Sequence, residues 1–197
     1  PQSKSDLKIA VDSCLHLSPV GDCTPGPHGP IEDWDVSHVH DTSQIFYRKS
    51  SFTADISKWD VSNVTKMTDM FYEEAAFNAE LSKWVVSNVN DMNQMFKSVT
   101  SFNADISKWT VSQVTGMASM FAGATTFNAD IADWDVSQVT SNPNLDPNVN
   151  PNLDLNRNPT TNLKPCKATV LPARARTKRN TVSRSTEGTS PANKKIT

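Results

Sequence analysis

Several residue sets in this chain have types and spacing that could do chemistry. His38 and His40 invite a metal reading, but they occupy positions held elsewhere by Asn63 and Thr65 and read as ordinary solvated histidines. Asp55, Glu80, Asp105 and Asp130 recur at one fixed interval beside an asparagine column, Asn78, Asn103 and Asn128. Stacked carboxylates of this kind could hold a hard cation such as calcium; alternatively each could cap a local turn through its own backbone, which suits "NAD" ahead of a strand. Cys14 and Cys23 bracket a loop with eight residues between them, a candidate disulfide contributing about 2–3 kcal/mol in an oxidising compartment. Cys166 is left over. The six glycines form no phosphate loop, and neither a nucleophile elbow nor a metalloprotease histidine pair occurs. The sequence therefore offers no catalytic residue, no metal site and no cofactor site, and the expectation is a non-enzymatic protein.

The stronger candidates for binding point outward. Lys58, Lys83 and Lys108 form one column, flanked by Asp33 and Asp133, and beside it run Asp35, Asp60, Val85, Thr110 and Asp135. On parallel strands about 4.8 Å apart, such rows would meet a partner's charges at fixed intervals. Lys58, Asp60, Lys83, Lys108, Thr110 and Asp135 are the candidate binding residues on this reading; the plain alternative is a solvated sheet face. A regular threonine surface of the ice-binding kind is suggested by Thr65, Thr115 and Thr140 but is broken at Asn90. Arg174, Arg176, Lys178 and Arg179 could contact nucleic acid or an anionic surface, though short basic runs are more often unspecific.

The elements that must position these side chains follow one period. All five tryptophans, Trp34, Trp59, Trp84, Trp109 and Trp134, keep a constant spacing with no gap, and valine, methionine and phenylalanine columns share the register. "SKWDVSNVTKMTDMF" at 57–71 returns as "SKWVVSNVNDMNQMF" and "SKWTVSQVTGMASMF". A fixed period of this length is the signature of a stacked repeat array. Within a unit, Ile56, Trp59 and Val61 are spaced like a short strand, whereas Val64, Met67, Met70 and Phe71 have the period of one helical face. A helix of about two turns is expected there, with Ser62 or Asn63 as its N-cap. Residues 72–76 vary between units and read as a solvated connection.

Three regions differ in charge. Residues 1–30 carry 2 Lys/Arg against 3 Asp/Glu, residues 31–140 carry 7 against 15, and residues 141–197 carry 10 against 3. The first is expected to be an N-terminal capping helix and loop, with Leu7, Ala10, Val11, Cys14 and Leu15 on one face, Ser5 as N-cap and Pro19 beyond the end. The second is a repeat array of about 4.5 units. The third is Asn/Pro-rich and then basic, has no aromatic residue or methionine, and reads as a disordered tail. Leu145, Val149 and Leu153 are the candidate lids over the last unit. No apolar run approaches the roughly 20 residues a membrane span needs, and the start of the chain has no signal-peptide apolar region.

The motif "FNADISKWTVSQVTGMASMF" and its sisters resemble the 25-residue repeat of BspA-like leucine-rich-repeat surface proteins, which also occurs in mycoplasma-type lipoproteins. The resemblance covers 31–140 and extends to the leader, "LKIAVDSCL" followed by "HGPIEDWDVS". It implies a cell-surface or secreted recognition array, with adhesion to a protein or glycan as its role, and transfers no binding residue. The expected fold class is an α/β solenoid: a leucine-rich-repeat-like right-handed coil of units, each a short parallel strand plus a short helix. A structural spacer without a specific ligand is the alternative function.

Overall fold

In a computed structural model of the chain, residues 1–24 and 26–140 are described. The expected disordered tail, its lid candidates, Cys166 and the basic cluster lie outside them. One α-helix forms among the described residues, α1 at Lys4–Leu17, and it buries Leu7, Ala10, Val11, Cys14 and Leu15. This is the face that the three- and four-residue apolar spacing marks. The cap is Ser3 rather than the expected Ser5: Ser3 Oγ accepts from the Asp6 amide at 3.1 Å, which satisfies a first-turn donor that the helix itself cannot. Cys14 of α1 is joined to Cys23 in a disulfide with their Cα atoms 5.3 Å apart.

The strand-plus-helix solenoid does not form. Among the described residues after α1 there is one 3-10 segment, Ile31–Asp33, and no strand; three isolated parallel bridges, Asp41 to Lys66, Lys66 to Asp91 and Asp91 to Gly116, mark where units pair. Each unit is instead a succession of tight turns. In the second unit, amides donate three residues back along the chain, from Trp59 to Ile56 O, Val64 to Val61 O, Met70 to Met67 O, Tyr72 to Asp69 O, Glu74 to Phe71 O and Phe77 to Glu74 O. A chain of such turns returns apolar side chains inward every three or four residues, so its sequence pattern imitates a helix face.

The backbone bonds explain why turns prevail. From Met67 to Glu73 the residues alternate in duty: the amides of Met67, Asp69, Phe71 and Glu73 donate to Asp91, Asn93, Met95 and Lys97 carbonyls of the next unit at 2.8–3.0 Å. The amides of Met70, Tyr72 and Glu74 stay within the unit. The same alternation joins Thr42, Gln44, Phe46 and Arg48 to Lys66, Thr68, Met70 and Tyr72, and Met92, Gln94, Phe96 and Ser98 to Gly116, Ala118, Met120 and Ala122. An α-helix would commit almost all its amides internally and leave none to link units. The geometry requires left-handed backbone at two positions per unit, and Gln44, Asp69, Gln94 and Ser119 form one such column with φ of 54–63°. Arg48, Glu73, Ser98 and Gly123 form the other.

Packing closes the stack. The phenylalanines pair within units and stack between them, with Phe71 4.0 Å from Phe77 and 5.5 Å from Phe96, centroid to centroid. Isoleucine, valine, methionine and tryptophan columns complete a continuous buried core that includes the inner face of α1. Val136 and Val139 of the fifth unit are only partly buried, whereas Val36, Val39, Val64 and Val89 have no exposed surface.

Candidate recognition face

The turn that opens each unit fixes which side chains face outward. Its first residue, Ile56 in the second unit, and its last, Trp59, are buried, and the Trp59 indole N–H donates to Ile31 O of the preceding unit at 2.9 Å. Trp84, Trp109 and Trp134 repeat the bond to Ile56, Leu81 and Ile106 carbonyls at 3.0–3.2 Å. With the ring held inward, the residue before tryptophan and the residue after it are both exposed. Lys58, Asp60, Lys83, Lys108, Thr110 and Asp135 all lie on this exposed side, on turns and not on strands. Behind this face the indole rings of neighbouring units stack, Trp84 on Trp109 and Trp109 on Trp134, with centroids 6.3–6.4 Å apart.

These residues are not equivalent. Asp60 Oδ1 accepts the Ser62 amide at 3.0 Å and Asp135 Oδ1 accepts the Ser137 amide at 3.1 Å. The Ser62 and Ser137 hydroxyls and amides hold both carboxyls below the usual aspartate range because they stabilise the charged form. Both aspartates therefore serve the turn that follows tryptophan. Lys58 pairs with Asp33 at 3.4 Å and Glu32 at 3.8 Å, and Asp33 followed by Glu32 raises its affinity for its proton. Among the described residues, Lys83 and Lys108 have no carboxylate within ion-pair distance. Between them stands Val85, 54% exposed in a column otherwise held by aspartate and threonine.

The other candidate sets resolve into structural duties. Asp55, Glu80, Asp105 and Asp130 each accept the amide two residues on, at 2.7–3.1 Å, so this ladder closes turns. No group of three or more His, Cys, Asp or Glu among the described residues could hold a metal ion. Thr65, Thr115 and Thr140 donate their hydroxyls to carbonyls of the preceding unit. Asn78 Oδ1 accepts the Asn103 amide at 2.8 Å and Asn103 Oδ1 the Asn128 amide at 2.7 Å, a side-chain staple between units. Asn63, expected as a helix N-cap, instead donates from Nδ2 to Ser37 O at 2.9 Å. No helix among the described residues is long and apolar enough to cross a membrane.

A second surface cluster escaped sequence reasoning. Tyr47 and Tyr72 stack at 5.0 Å, Arg48 lies over both rings at 5.3 and 5.8 Å, and Lys97 lies over Tyr72 at 5.4 Å. Arg48 also pairs with Glu73 at 2.8 Å. The signal was available, because Tyr47 and Tyr72 stand exactly one period apart, but it spans only two units within a stretch that otherwise varies.

A chain whose units return at one fixed period and bond through alternating amides is a tandem-repeat protein. Residues 21–111 and 80–148 match the family described as Mycoplasma protein of unknown function, DUF285, and the chain belongs to it. Neither a curated protein nor a solved structure matches the chain.

Proposed function

We propose that this chain is a non-enzymatic recognition module, displayed at a cell surface or secreted, that binds a protein or glycan partner through the exposed side of its units. The observation that carries the reading is the contrast between Lys83, Val85 and Lys108, which are exposed, the two lysines forming no ion pair among the described residues, and the inward columns that repeat unit by unit. Two unpaired ammonium groups flanking an exposed apolar side chain suit a partner surface with carboxylate or sulfate groups beside an apolar spot. The resemblance to BspA-like surface proteins supports the same assignment, as does the Cys14–Cys23 bridge, which belongs in an oxidising compartment.

Charge reversal tests it. Lys83→Glu with Lys108→Glu should abolish retention on immobilised cell-surface protein and glycan extracts while leaving the circular dichroism spectrum unchanged. Lys58→Glu, which disturbs a lysine already paired with Asp33 and Glu32, should reduce it less. Retention unchanged by the double reversal would exclude this face and move the site to the Tyr47–Tyr72 cluster; no retention of the unaltered chain would leave the spacer role.

A further inference from the structure

The third position after Phe71 is not solvated as its variability suggests. Lys49, Glu74, Val99 and Ala124 share this position in successive units, and Glu74, Val99 and Ala124 have no exposed surface. Glu74 thus places a carboxyl where its neighbours place aliphatic groups. Neither of its oxygens has a hydrogen-bond partner. The Lys49 and Phe52 amides face it but are already donated to Phe46 O at 3.1 Å and Lys49 O at 2.7 Å. The backbone at Glu74 is held in its turn: its amide donates to Phe71 O at 3.0 Å and its carbonyl accepts from Phe77 at 3.1 Å.

The charged groups around Glu74 are few. From the first unit comes Lys49, the one cation among the described residues that acts on it, and from the third unit comes uncharged Val99. Lys49 is itself committed to α1, with Nζ 3.0 Å from Asp12 Oδ1; Asp12 also holds Lys8 at 2.7 Å. The seam between α1 and the first unit is not filled. A cleft of about 360 Å³ opens there, lined by Asp12, Leu15, His16, Pro19, Lys49 and two serines.

We propose that Lys49 is a proton-controlled latch: with Glu74 protonated it holds α1 through Asp12, and when Glu74 releases its proton to solvent the new carboxylate draws Lys49 away and loosens α1. An ammonium between two carboxylates goes to the one less able to obtain solvation elsewhere. Buried Glu74 lacks hydrogen bonds, whereas Asp12 keeps Lys8 and water. Burial pushes the Glu74 carboxyl from 4.5 up to about 8, against the opposing Lys49 contacts. Because the folded value lies above the unfolded one, the associated stability is fully present below about pH 4.5, declines as pH rises, and is lost once pH passes about 8.

The test compares the full chain with Glu74→Gln and Glu74→Val, the latter copying Val99. Between pH 5 and 8 the unaltered chain should lose several degrees of Tm relative to Glu74→Gln, with no further divergence at higher pH. The Glu74 carboxyl carbon should titrate near pH 8 by NMR. Above that pH, α1 amides should exchange several-fold faster in the unaltered chain than in Glu74→Gln at the same pH, and Asp12→Asn, which removes the competition, should erase this difference. Titration of Glu74 in the ordinary carboxylate range, or equal α1 protection in the unaltered chain and the Glu74→Gln variant at alkaline pH, would overturn the latch.

Discussion

At the scale of single residues, the tryptophans decide what the repeat can display. An indole N–H buried against a carbonyl of the preceding unit cannot also contact a partner, and each such bond satisfies a buried donor that would otherwise be unpaired. Trp84 is 4% exposed and donates to Ile56 O at 3.1 Å. Trp84→Phe should therefore destabilise through two effects, a cavity in the ring stack between Phe71 and Trp109 and loss of the indole hydrogen bond between units, although Ile56 O keeps the Trp59 amide. Together these should cost about 2–4 kcal/mol, measurable as a shift in the urea midpoint. A change below about 0.5 kcal/mol, within the range of surface substitutions, would mean that the indole bond is not structural. Exposed pairs carry less: Arg48 and Glu73 are substantially solvated, and such a pair contributes about 0–1 kcal/mol.

At the scale of elements, inside and outside were legible in the sequence, but the backbone that sorts them was not. Trp59, Val61, Val64, Met67, Met70 and Phe71 are all inward, as their columns require, and Lys58 and Asp60 are outward. Three- and four-residue spacing, however, is shared by a helix face and by consecutive turns that close three residues back. What separates them is the destination of alternate amides, a property of the neighbouring unit and not of local sequence. Left-handed backbone at Gln44, Arg48 and Glu73 could not be read from residue type, since these are not residues that favour it. Glu74 was hidden for a related reason, because its column holds a different residue in every unit. One glycine does mark its constraint. Gly21 has φ of +99°, and a Cβ there would stand 2.7 Å from Ala54 Cβ and 3.0 Å from Phe52 Cε2. Gly21→Ala should cost at least about 2 kcal/mol by strain and overpacking, and it should do so at the junction of the leader with the units. Thermal melting monitored at α1 and at the tryptophans would show both signals moving together; an unchanged Tm would mean the junction has slack.

At the scale of the whole molecule, the alternating amides make one full period the quantum of the fold. Each interior unit receives bonds on one side and gives them on the other, so its contribution is a nearest-neighbour term and not a long-range one. Excising Phe77 to Ser101, one whole period, joins Ala76 to Phe102 and returns every column to its place: methionine follows methionine, Glu74 now precedes Phe102, and one interface between units is lost. The shortened chain should fold cooperatively, with tryptophan near-ultraviolet dichroism retained and a Tm lowered by several degrees. Excising Phe77 to Thr100 instead, which stops one position short of the period, shifts every later column by one place. It would put polar side chains at buried sites and turn the indoles away from their carbonyls, and each buried polar group left unpaired costs about 1–3 kcal/mol. That chain should lose its near-ultraviolet signal. If both excisions melted alike, the bonds between units would be tolerant of register, and the constant interval between tryptophans would need a different cause.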